Sequence, residues 1–317
     1  VAIVASKKLN VDVPVIYVDD PNLELPLLSS RFYDEPEKEL TLIGITGTNG
    51  KTTTAMIIQK LIGDSDCGYM GTNGIICSAF NEKIRNTTPD ADRLYKYLRR
   101  FKDSGCKYVA METSSEAYLR KRVSNLFFQV GIVTNVTEDH LNVHKTIENY
   151  VECKMNLVKQ VKDDGYCVLN IDDKYYEKFK NASHGKVLTY GKQESDLQIV
   201  DEAFYIDKTD ITLKYHNKLY NITSPLLGEF NVYNLCAGIL SLLALNFNIG
   251  DIIKNINNIV VPKGRMELVD FHQKYHIIID YAHTTDAFIK LYDLLKKIKK
   301  GRIITVTGSA GGREHEK

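Results

Sequence analysis

The chain has 317 residues, of which 44% are hydrophobic and 26% charged, a balance that is ordinary for a folded protein and argues against disorder. Its 41 lysines and arginines nearly equal its 40 aspartates and glutamates. This balance argues against a protein that coats nucleic acid and against a polybasic membrane anchor. The six cysteines form no C-x-x-C pair, and no apolar run approaches the ~20 residues of a membrane span. We therefore expect a reduced, cytoplasmic protein without membrane insertion.

The first 39 residues predict a small N-terminal unit. A strand-like run, VIYVDD, is followed by a helix-like stretch to Tyr33, and the charged, proline-containing segment DEPEKEL then indicates a linker. The chain enters an apolar run at residue 1 without an initiator Met, and it ends after the strand-and-glycine pattern GRIITVTGSAGG. We expect the chain to be a fragment in which residues 1–39 are the remnant of an N-terminal domain.

Residues 40–262 predict a central α/β domain. The buried-type strand TLIGIT leads through GTNG into an amphipathic segment from Lys51 to Ile62, which gives the order strand, glycine loop, helix. Further apolar runs alternate with helical patterns, at 108–113, 128–135 and 166–172. This rhythm is typical of a mostly parallel sheet. Short alternating strands between 186 and 224 indicate an antiparallel patch.

A second boundary is predicted in the segment VVPKGRMELVD. Pro262 and Gly264 interrupt the pattern there, before a new strand in YHIIIDYAH, a helix and a final strand. The sequence thus predicts an α/β protein with a central phosphate-loop domain and, over residues 263–317, the start of a Rossmann-like C-terminal domain.

The segment after TLIGIT is the strongest functional signal. Its glycines let backbone N–H groups close on phosphate oxygens, Lys51 supplies a cation, and Thr52 can bind Mg²⁺. Ile45 stands where the common phosphate-loop pattern has its first glycine, and a glycine turn that only caps a helix is the alternative. We predict nucleotide binding by seven residues, Gly47, Thr48, Asn49, Gly50, Lys51, Thr52 and Thr53.

Two ionisable residues stand out further along the chain. Glu112 follows the apolar run YVAM, so it would lie at the carboxyl end of a strand, where it can hold Mg²⁺ or remain a solvated loop carboxylate. Lys154 falls within the apolar stripe of the helix predicted at 146–162. A snorkelling lysine is one explanation, whereas a desolvated lysine has a lowered pKa and becomes a nucleophilic amine.

A collinear series of motifs resembles the Mur ligase family. The loop GITGTNGKTTT has the form found in Mur ligases and their folylpolyglutamate synthetase relatives. The segments that follow look like the successive signatures of muramyl tripeptide synthetases: NTTP, ETSS, TNVTEDHLNVHKTIENYVECK, GEFNVYN, GRMELV, DYAHTTDA and TGSAGGRE. They keep the family's order over essentially the whole chain. One departure is Glu116, which follows Ser114-Ser115 where the family commonly has histidine.

The resemblance implies roles for individual residues. Mg²⁺ would be bound by Thr52, Glu112, His140 and Lys154, and Lys154 would carry a carbamate that converts its cation into a carboxylate-like ligand. Imidazole is an unusual ligand for Mg²⁺, so the role of His140 rests on the resemblance rather than on coordination chemistry. Catalysis would depend on Lys51, His140 and Lys154.

Nucleotide and substrate contacts follow from the same resemblance. Asn234 would lie near the adenine, Asp280 near the ribose and Arg265 at the hinge, although a capping Asn, a strand-end Asp and a surface Arg are the structural alternatives. Four residues would hold the UDP-muramoyl peptide, namely Thr87, Thr88, Ser114 and Arg122. The run from Arg120 to Arg122 also suits a solvated basic surface.

The resemblance implies an ATP-dependent amide ligase. Such an enzyme adds a third amino acid, L-lysine or meso-diaminopimelate, to UDP-N-acetylmuramoyl-L-alanyl-D-glutamate through an acyl phosphate. Residues 1–39 would then belong to a UDP-binding domain and residues 263–317 to an amino-acid-binding domain, in a monomer. The alternatives are a folylpolyglutamate synthetase-like ligase, a non-catalytic muramoyl-nucleotide-binding protein, and a simple phosphate-loop hydrolase or kinase.

Overall fold

The computed structural model describes residues 2–139 and 141–308 of the chain. Within these residues strands and helices alternate along most of the chain. The strands are β1 (Ile3–Ala5), β2 (Val15–Tyr17), β3 (Thr41–Thr46), β4 (Cys67–Gly71), β5 (Gly74–Ile76), β6 (Asn81–Glu82), β7 (Tyr108–Glu112), β8 (Phe128–Val133), β9 (Val161–Asn170), β10 (Lys186–Gly191), β11 (Leu197–Phe204), β12 (Thr209–Tyr215), β13 (Lys218–Ser224), β14 (Glu267–Val269) and β15 (Ile277–Ile279). The helices are α1 (Pro21–Phe32), α2 (Lys51–Ile62), α3 (Ala91–Asp103), α4 (Ser115–Leu119), α5 (Leu141–His144), α6 (Ile147–Lys159), α7 (Tyr176–Ala182), α8 (Glu229–Ala244), α9 (Ile249–Asn255) and α10 (Thr285–Ile298).

One large sheet organises the described residues. Its eleven strands have the order β13-β12-β11-β10-β9-β8-β3-β7-β4-β5-β6. The seven strands from β11 to β4 are parallel, and two antiparallel strands extend each edge. The prediction of an α/β fold with a mostly parallel sheet is confirmed. The antiparallel patch is smaller than the predicted range 186–224, because β10 returns after α7 to pair in parallel with β9.

Helices cover both faces of this sheet. Ile43 and Ile45 of β3 belong to the core formed with α2 and α8, whereas Leu42 belongs to the core formed with α3. Gly44 lets α6 approach closely, since a Cβ there would lie 2.6 Å from Leu157 Cδ1 and 2.8 Å from Phe128 Cδ1. The buried face of α6 includes Lys154, as its position in the apolar stripe predicts.

The carboxyl ends of the central parallel strands meet at one edge, where α/β sheets bind ligands. The strand β3 pairs with β7 on one side and β8 on the other, with Ile45 opposite Glu112 and Thr46 opposite Val133. The phosphate loop therefore lies between the segments that follow β7 and β8.

The two ends of the chain form smaller units. In the first, β1 and β2 pair in parallel, α1 packs against α3, and Lys121 Nζ contacts Asp20 Oδ2 at 2.6 Å. In the second, β14 and β15 form an antiparallel pair that precedes α10. The final strand expected in GRIITVTG is not formed over residues 302–308, which pair with none of the strands in the described part of the chain. None of the helices in the described part of the chain is long and apolar enough to cross a membrane.

Candidate functional site

The phosphate loop between β3 and α2 is held by residues that follow β8. Thr134 Oγ1 donates to the carbonyl of Asn49 at 2.6 Å, and Asn135 contacts both backbone groups of Asn49, at 3.0 and 3.1 Å. Gly50 has a φ of 90°, and a Cβ there would lie 2.2 Å from Asn234 Oδ1. A side chain at this position would be strained by the backbone conformation and would require the Asn234 amide to move.

Two lysine amines meet on one carbonyl of this loop. Lys51 Nζ donates to the carbonyls of Gly47 and Thr48 at 2.8 and 3.0 Å, and Lys154 Nζ donates to the same Gly47 oxygen at 2.8 Å. Lys154 is only 1% exposed, and its amine lies 4.3 Å from the ring centre of Tyr150. Burial lowers the pKa of Lys154 well below its usual range, and the neighbouring Lys51 lowers it further. This environment favours the neutral, nucleophilic form of the Lys154 amine.

Glu112 is fully buried at the carboxyl end of β7. Its Oε1 accepts hydrogen bonds from the Tyr69 hydroxyl at 2.7 Å and from the backbone N–H of Thr72 at 2.9 Å. Its Oε2 accepts a longer one, 3.3 Å, from the Thr72 hydroxyl. Burial and the charge of Glu112 raise the pKa of Tyr69 well above its usual range, so this phenol remains a donor.

Three of the predicted substrate-binding residues lie together beside β7. Thr88 Oγ1 donates to the carbonyl of Glu112 at 2.9 Å and accepts from the backbone N–H of Ser114 at 3.1 Å. Arg122 Nη1 donates to the carbonyl of Thr88 at 3.1 Å, and its Nε lies 2.7 Å from Asp90 Oδ1. The ion pair with Asp90 therefore orients the Arg122 side chain.

Thr87 and Glu116 lie next to this group. Thr87 Oγ1 is 3.1 Å from Thr72 Oγ1, which connects it to the Glu112 carboxylate through one hydroxyl. Glu116, the departure from the family pattern, lies on α4 with its side chain 38% exposed and 3.8 Å from Arg120 Nε.

A cavity of about 780 Å³ opens between the phosphate loop, α8 and the segment after β15. Six of the residues predicted to bind nucleotide line it, namely Asn49, Gly50, Thr53, Asn234, Arg265 and Asp280. Asp280 uses both carboxylate oxygens on backbone N–H groups, of Met266 and Ala282, each at 2.8 Å. The Arg265 guanidinium lies over the Tyr281 ring, 4.8 Å from its centre.

Three of the four residues predicted to bind Mg²⁺ lie among the described residues. Thr52 and Glu112 are both buried beside the loop, and Lys154 joins the loop through Gly47. His140 lies outside the described residues. Within residues 2–139 and 141–308, no group of three or more His, Cys, Asp or Glu side chains is placed to hold a metal. A buried carboxylate and hydroxyl with few protein ligands suit Mg²⁺, which usually keeps waters and binds substrate phosphates.

Four residues that position this site were missed by the sequence reasoning. Thr134 and Asn135 end the strand-like run FQVGIVTN, and a polar pair at the carboxyl end of a neighbouring strand was an available signal. Tyr69 and Thr72 hold Glu112 from a strand and turn that carry no comparable local pattern. Tyr69 and Thr72 contact Glu112 across 43 and 40 residues of sequence, respectively.

Comparison with protein families finds two matches. Residues 45–242 match the family described as Mur ligase middle domain, and residues 264–317 match the one described as Mur ligase, glutamate ligase domain. A relative from Fusobacterium nucleatum, named UDP-N-acetylmuramoyl-L-alanyl-D-glutamate--2,6-diaminopimelate ligase, is 37% identical over 99% of this chain. One from Oceanobacillus iheyensis, named UDP-N-acetylmuramyl-tripeptide synthetase 2, is 34% identical over 98% of the chain. The chain spans 65% and 66% of their respective lengths.

Solved structures show the same similarity in three dimensions. A UDP-N-acetylmuramoyl-L-alanyl-D-glutamate--2,6-diaminopimelate ligase has a TM-score of 0.83 and 27% identity, over 99% of this chain and 65% of that one. A Mycobacterium tuberculosis folylpolyglutamate synthase complexed with ADP and AMPPCP has a TM-score of 0.73 over 87% of this chain and 71% of that one. Its identity of 15% shows a shared fold alone.

Proposed function

The chain belongs to the Mur ligase family, and we propose that it forms part of an ATP-dependent ligase that adds the third amino acid to UDP-N-acetylmuramoyl-L-alanyl-D-glutamate. The names of its relatives favour 2,6-diaminopimelate as that amino acid, with L-lysine as the alternative. The observation that carries the proposal is the buried amine of Lys154, 2.8 Å from a carbonyl of the phosphate loop. A simple phosphate-loop hydrolase has no need of a second, desolvated lysine there.

ATP is proposed to occupy the 780 Å³ cavity with its phosphates on the loop. Backbone N–H groups at the start of α2 would bind the phosphates, and Lys51 would leave the Gly47 carbonyl to neutralise the transferring group. The remaining nucleotide contacts are assigned to Gly47, Thr48, Asn49, Gly50, Thr52, Thr53, Asn234, Arg265 and Asp280.

Lys154 is proposed to act as a carbamate. Its neutral amine can add to carbon dioxide with loss of a proton, and the product is an anion suited to a divalent cation. The proposed ligands are Thr52, Glu112, His140 and Lys154. When bound, Mg²⁺ would supply charge neutralisation to the phosphoryl group.

The reaction then needs little covalent chemistry from the protein. A carboxylate oxygen of the muramoyl dipeptide attacks the γ-phosphorus of ATP, which gives an acyl phosphate and ADP. The amine of the incoming amino acid attacks the acyl carbon, and phosphate leaves as the amide forms. Thr87, Thr88, Ser114 and Arg122 are proposed to hold the muramoyl peptide during both steps.

The arrangement of the whole protein is part of the same proposal. Residues 1–39 would belong to the UDP-binding domain, 40–262 to the ATP-binding domain and 263–317 to the amino-acid-binding domain, in a cytoplasmic monomer. Two further family-compatible functions are a folylpolyglutamate synthetase-like activity and muramoyl-nucleotide binding without catalysis. Glu116 is the feature that motivates the second of these.

Phosphate release by the full-length protein separates these functions. ATP, Mg²⁺ and UDP-N-acetylmuramoyl-L-alanyl-D-glutamate are supplied, with meso-diaminopimelate or L-lysine in separate reactions and a folate with glutamate in another. We expect release that requires both the muramoyl dipeptide and one amino acid. Release without either would indicate a hydrolase, and muramoyl-dipeptide binding without release would indicate a sensor. The Lys154→Ala variant should lose the amino-acid-dependent release.

A further inference from the structure

We propose that Thr72 is a positioning residue that couples the carboxylate of Glu112 to the hydroxyl of Thr87. The inference rests on the proposed function, in which Glu112 binds a cation and Thr87 contacts the muramoyl peptide. Thr72 belongs to the turn between β4 and β5, and its side chain is exposed. Neither its sequence context nor its residue type suggested a role.

The two oxygens of Glu112 are held differently. Oε1 accepts two short hydrogen bonds, from Tyr69 and from the backbone of Thr72, at 2.7 and 2.9 Å. Oε2 accepts the Thr72 hydroxyl at 3.3 Å. Because Oε1 accepts two short hydrogen bonds and Oε2 accepts one longer hydrogen bond, a cation would displace fewer contacts at Oε2.

The surrounding atoms prevent the carboxylate from turning away. A Cβ on Gly71 would lie 2.1 Å from Glu112 Oε1, so the backbone of β4 is packed against this oxygen. Tyr69 Oη is itself fixed, because it accepts the backbone N–H of Asn73 at 3.1 Å. A rigid carboxylate transmits a change at Oε2 to the Thr72 hydroxyl rather than absorbing it.

The Thr72 hydroxyl has one proton and two acceptors within reach. It lies 3.3 Å from Glu112 Oε2 and 3.1 Å from Thr87 Oγ1, and it can donate to only one of them at a time. With Oε2 uncovered, donation to the carboxylate is favoured because hydrogen bonds to charged acceptors are stronger. A cation on Oε2 would turn that proton toward Thr87.

The Thr72 hydroxyl therefore connects the proposed cation site at Glu112 with the proposed peptide site at Thr87. Once Thr72 donates to Thr87, the proton of the Thr87 hydroxyl is directed away from Thr72 and becomes available to an acceptor on the muramoyl peptide. Cation binding therefore strengthens peptide binding, and by linkage the peptide strengthens cation binding by the same factor. We expect a coupling of about fivefold in affinity.

The test measures Mn²⁺ affinity by electron paramagnetic resonance in the full-length protein. A non-hydrolysable ATP analogue is present throughout, and UDP-N-acetylmuramoyl-L-alanyl-D-glutamate is present or absent. The muramoyl dipeptide should tighten Mn²⁺ binding in the wild type and in Thr72→Ser, which keeps the hydroxyl. In Thr72→Val this effect should disappear, while the exposed position avoids a core cavity. Thr87→Val should also abolish it, and the double variant should add nothing further.

Two results would overturn the inference. One is wild-type protein that binds both ligands without coupling, and the other is coupling of wild-type size in Thr72→Val. If the protein binds no muramoyl dipeptide, the proposed function fails instead. Mn²⁺ affinity alone then decides the role of Thr72, because Thr72→Val should alter Mn²⁺ affinity relative to Thr72→Ser. Equal affinities in these two variants would reject it.

Discussion

Replacing Gly71 with alanine should disturb the Glu112 carboxylate directly. The added Cβ would lie 2.1 Å from Glu112 Oε1 and 2.6 Å from Tyr69 Oη, whereas ordinary van der Waals contact begins near 3.4 Å. The carboxylate must therefore move by roughly 1 Å, and overpacking of this kind costs about 1–3 kcal/mol in the free energy of unfolding. Displacing this proposed metal ligand should also lower metal affinity by about tenfold or more.

Urea unfolding and Mn²⁺ titration in the presence of an ATP analogue measure both effects. Gly301→Ala is the matched control, because nothing lies within 4 Å of a Cβ at that position. The control should leave the free energy of unfolding and the Mn²⁺ dissociation constant close to those of the wild type. If Gly71→Ala also leaves both unchanged, the carboxylate is not rigidly held and the reasoning is refuted.

Three other variants test the rest of the site. Asn135→Ala removes two side-chain hydrogen bonds to Asn49, so the nucleotide dissociation constant, measured with a fluorescent ATP analogue, should rise about tenfold; an unchanged constant would contradict this. Burial lowers the pKa of Lys154 below its usual 10.5, so between these two pKa values the unfolded chain binds a proton that the folded chain does not. In carbon-dioxide-free buffer the wild-type free energy of unfolding should therefore rise with pH between the two values. Urea unfolding at about pH 7 and 9 measures this rise, which Lys154→Met should flatten. Burial raises the pKa of Asp280 above its usual 3.8, so the free energy of unfolding should fall as pH rises from 3.8 to the raised pKa. An equal dependence on pH in Asp280→Asn would contradict this prediction.

Local periodicity predicted the elements that carry the site. The segment Lys51–Ile62 forms α2 with the predicted bounds, because a glycine loop and an amphipathic pattern fix both ends of a helix. Lys154 is buried where the apolar stripe of α6 required it, since spacing along a helix reports which face is covered. In both cases the deciding information lies within about 15 residues of sequence.

Contacts between distant segments could not be predicted in this way. Tyr69 and Thr72 reach Glu112 across 43 and 40 residues, and Asn135 reaches Asn49 across 86. A single sequence carries no signal for which polar side chains meet across a sheet edge. The same limit explains residues 302–308, whose apolar alternation predicts a strand but cannot show whether a partner strand lies beside it.

Ile45 explains why the phosphate loop departs from the common pattern. Its side chain is fully buried in the core with α2 and α8, and its carbonyl accepts the Thr113 backbone N–H at 2.8 Å, next to Glu112. Glycine at this position would remove that packing and loosen the pairing of β3 with β7. The loop is instead held from outside, by Asn135 on Asn49 and by the amine of Lys154 on the Gly47 carbonyl. Because Lys154 is both a support of the loop and a proposed metal ligand, a substitution of Lys154 should weaken nucleotide binding and metal binding together.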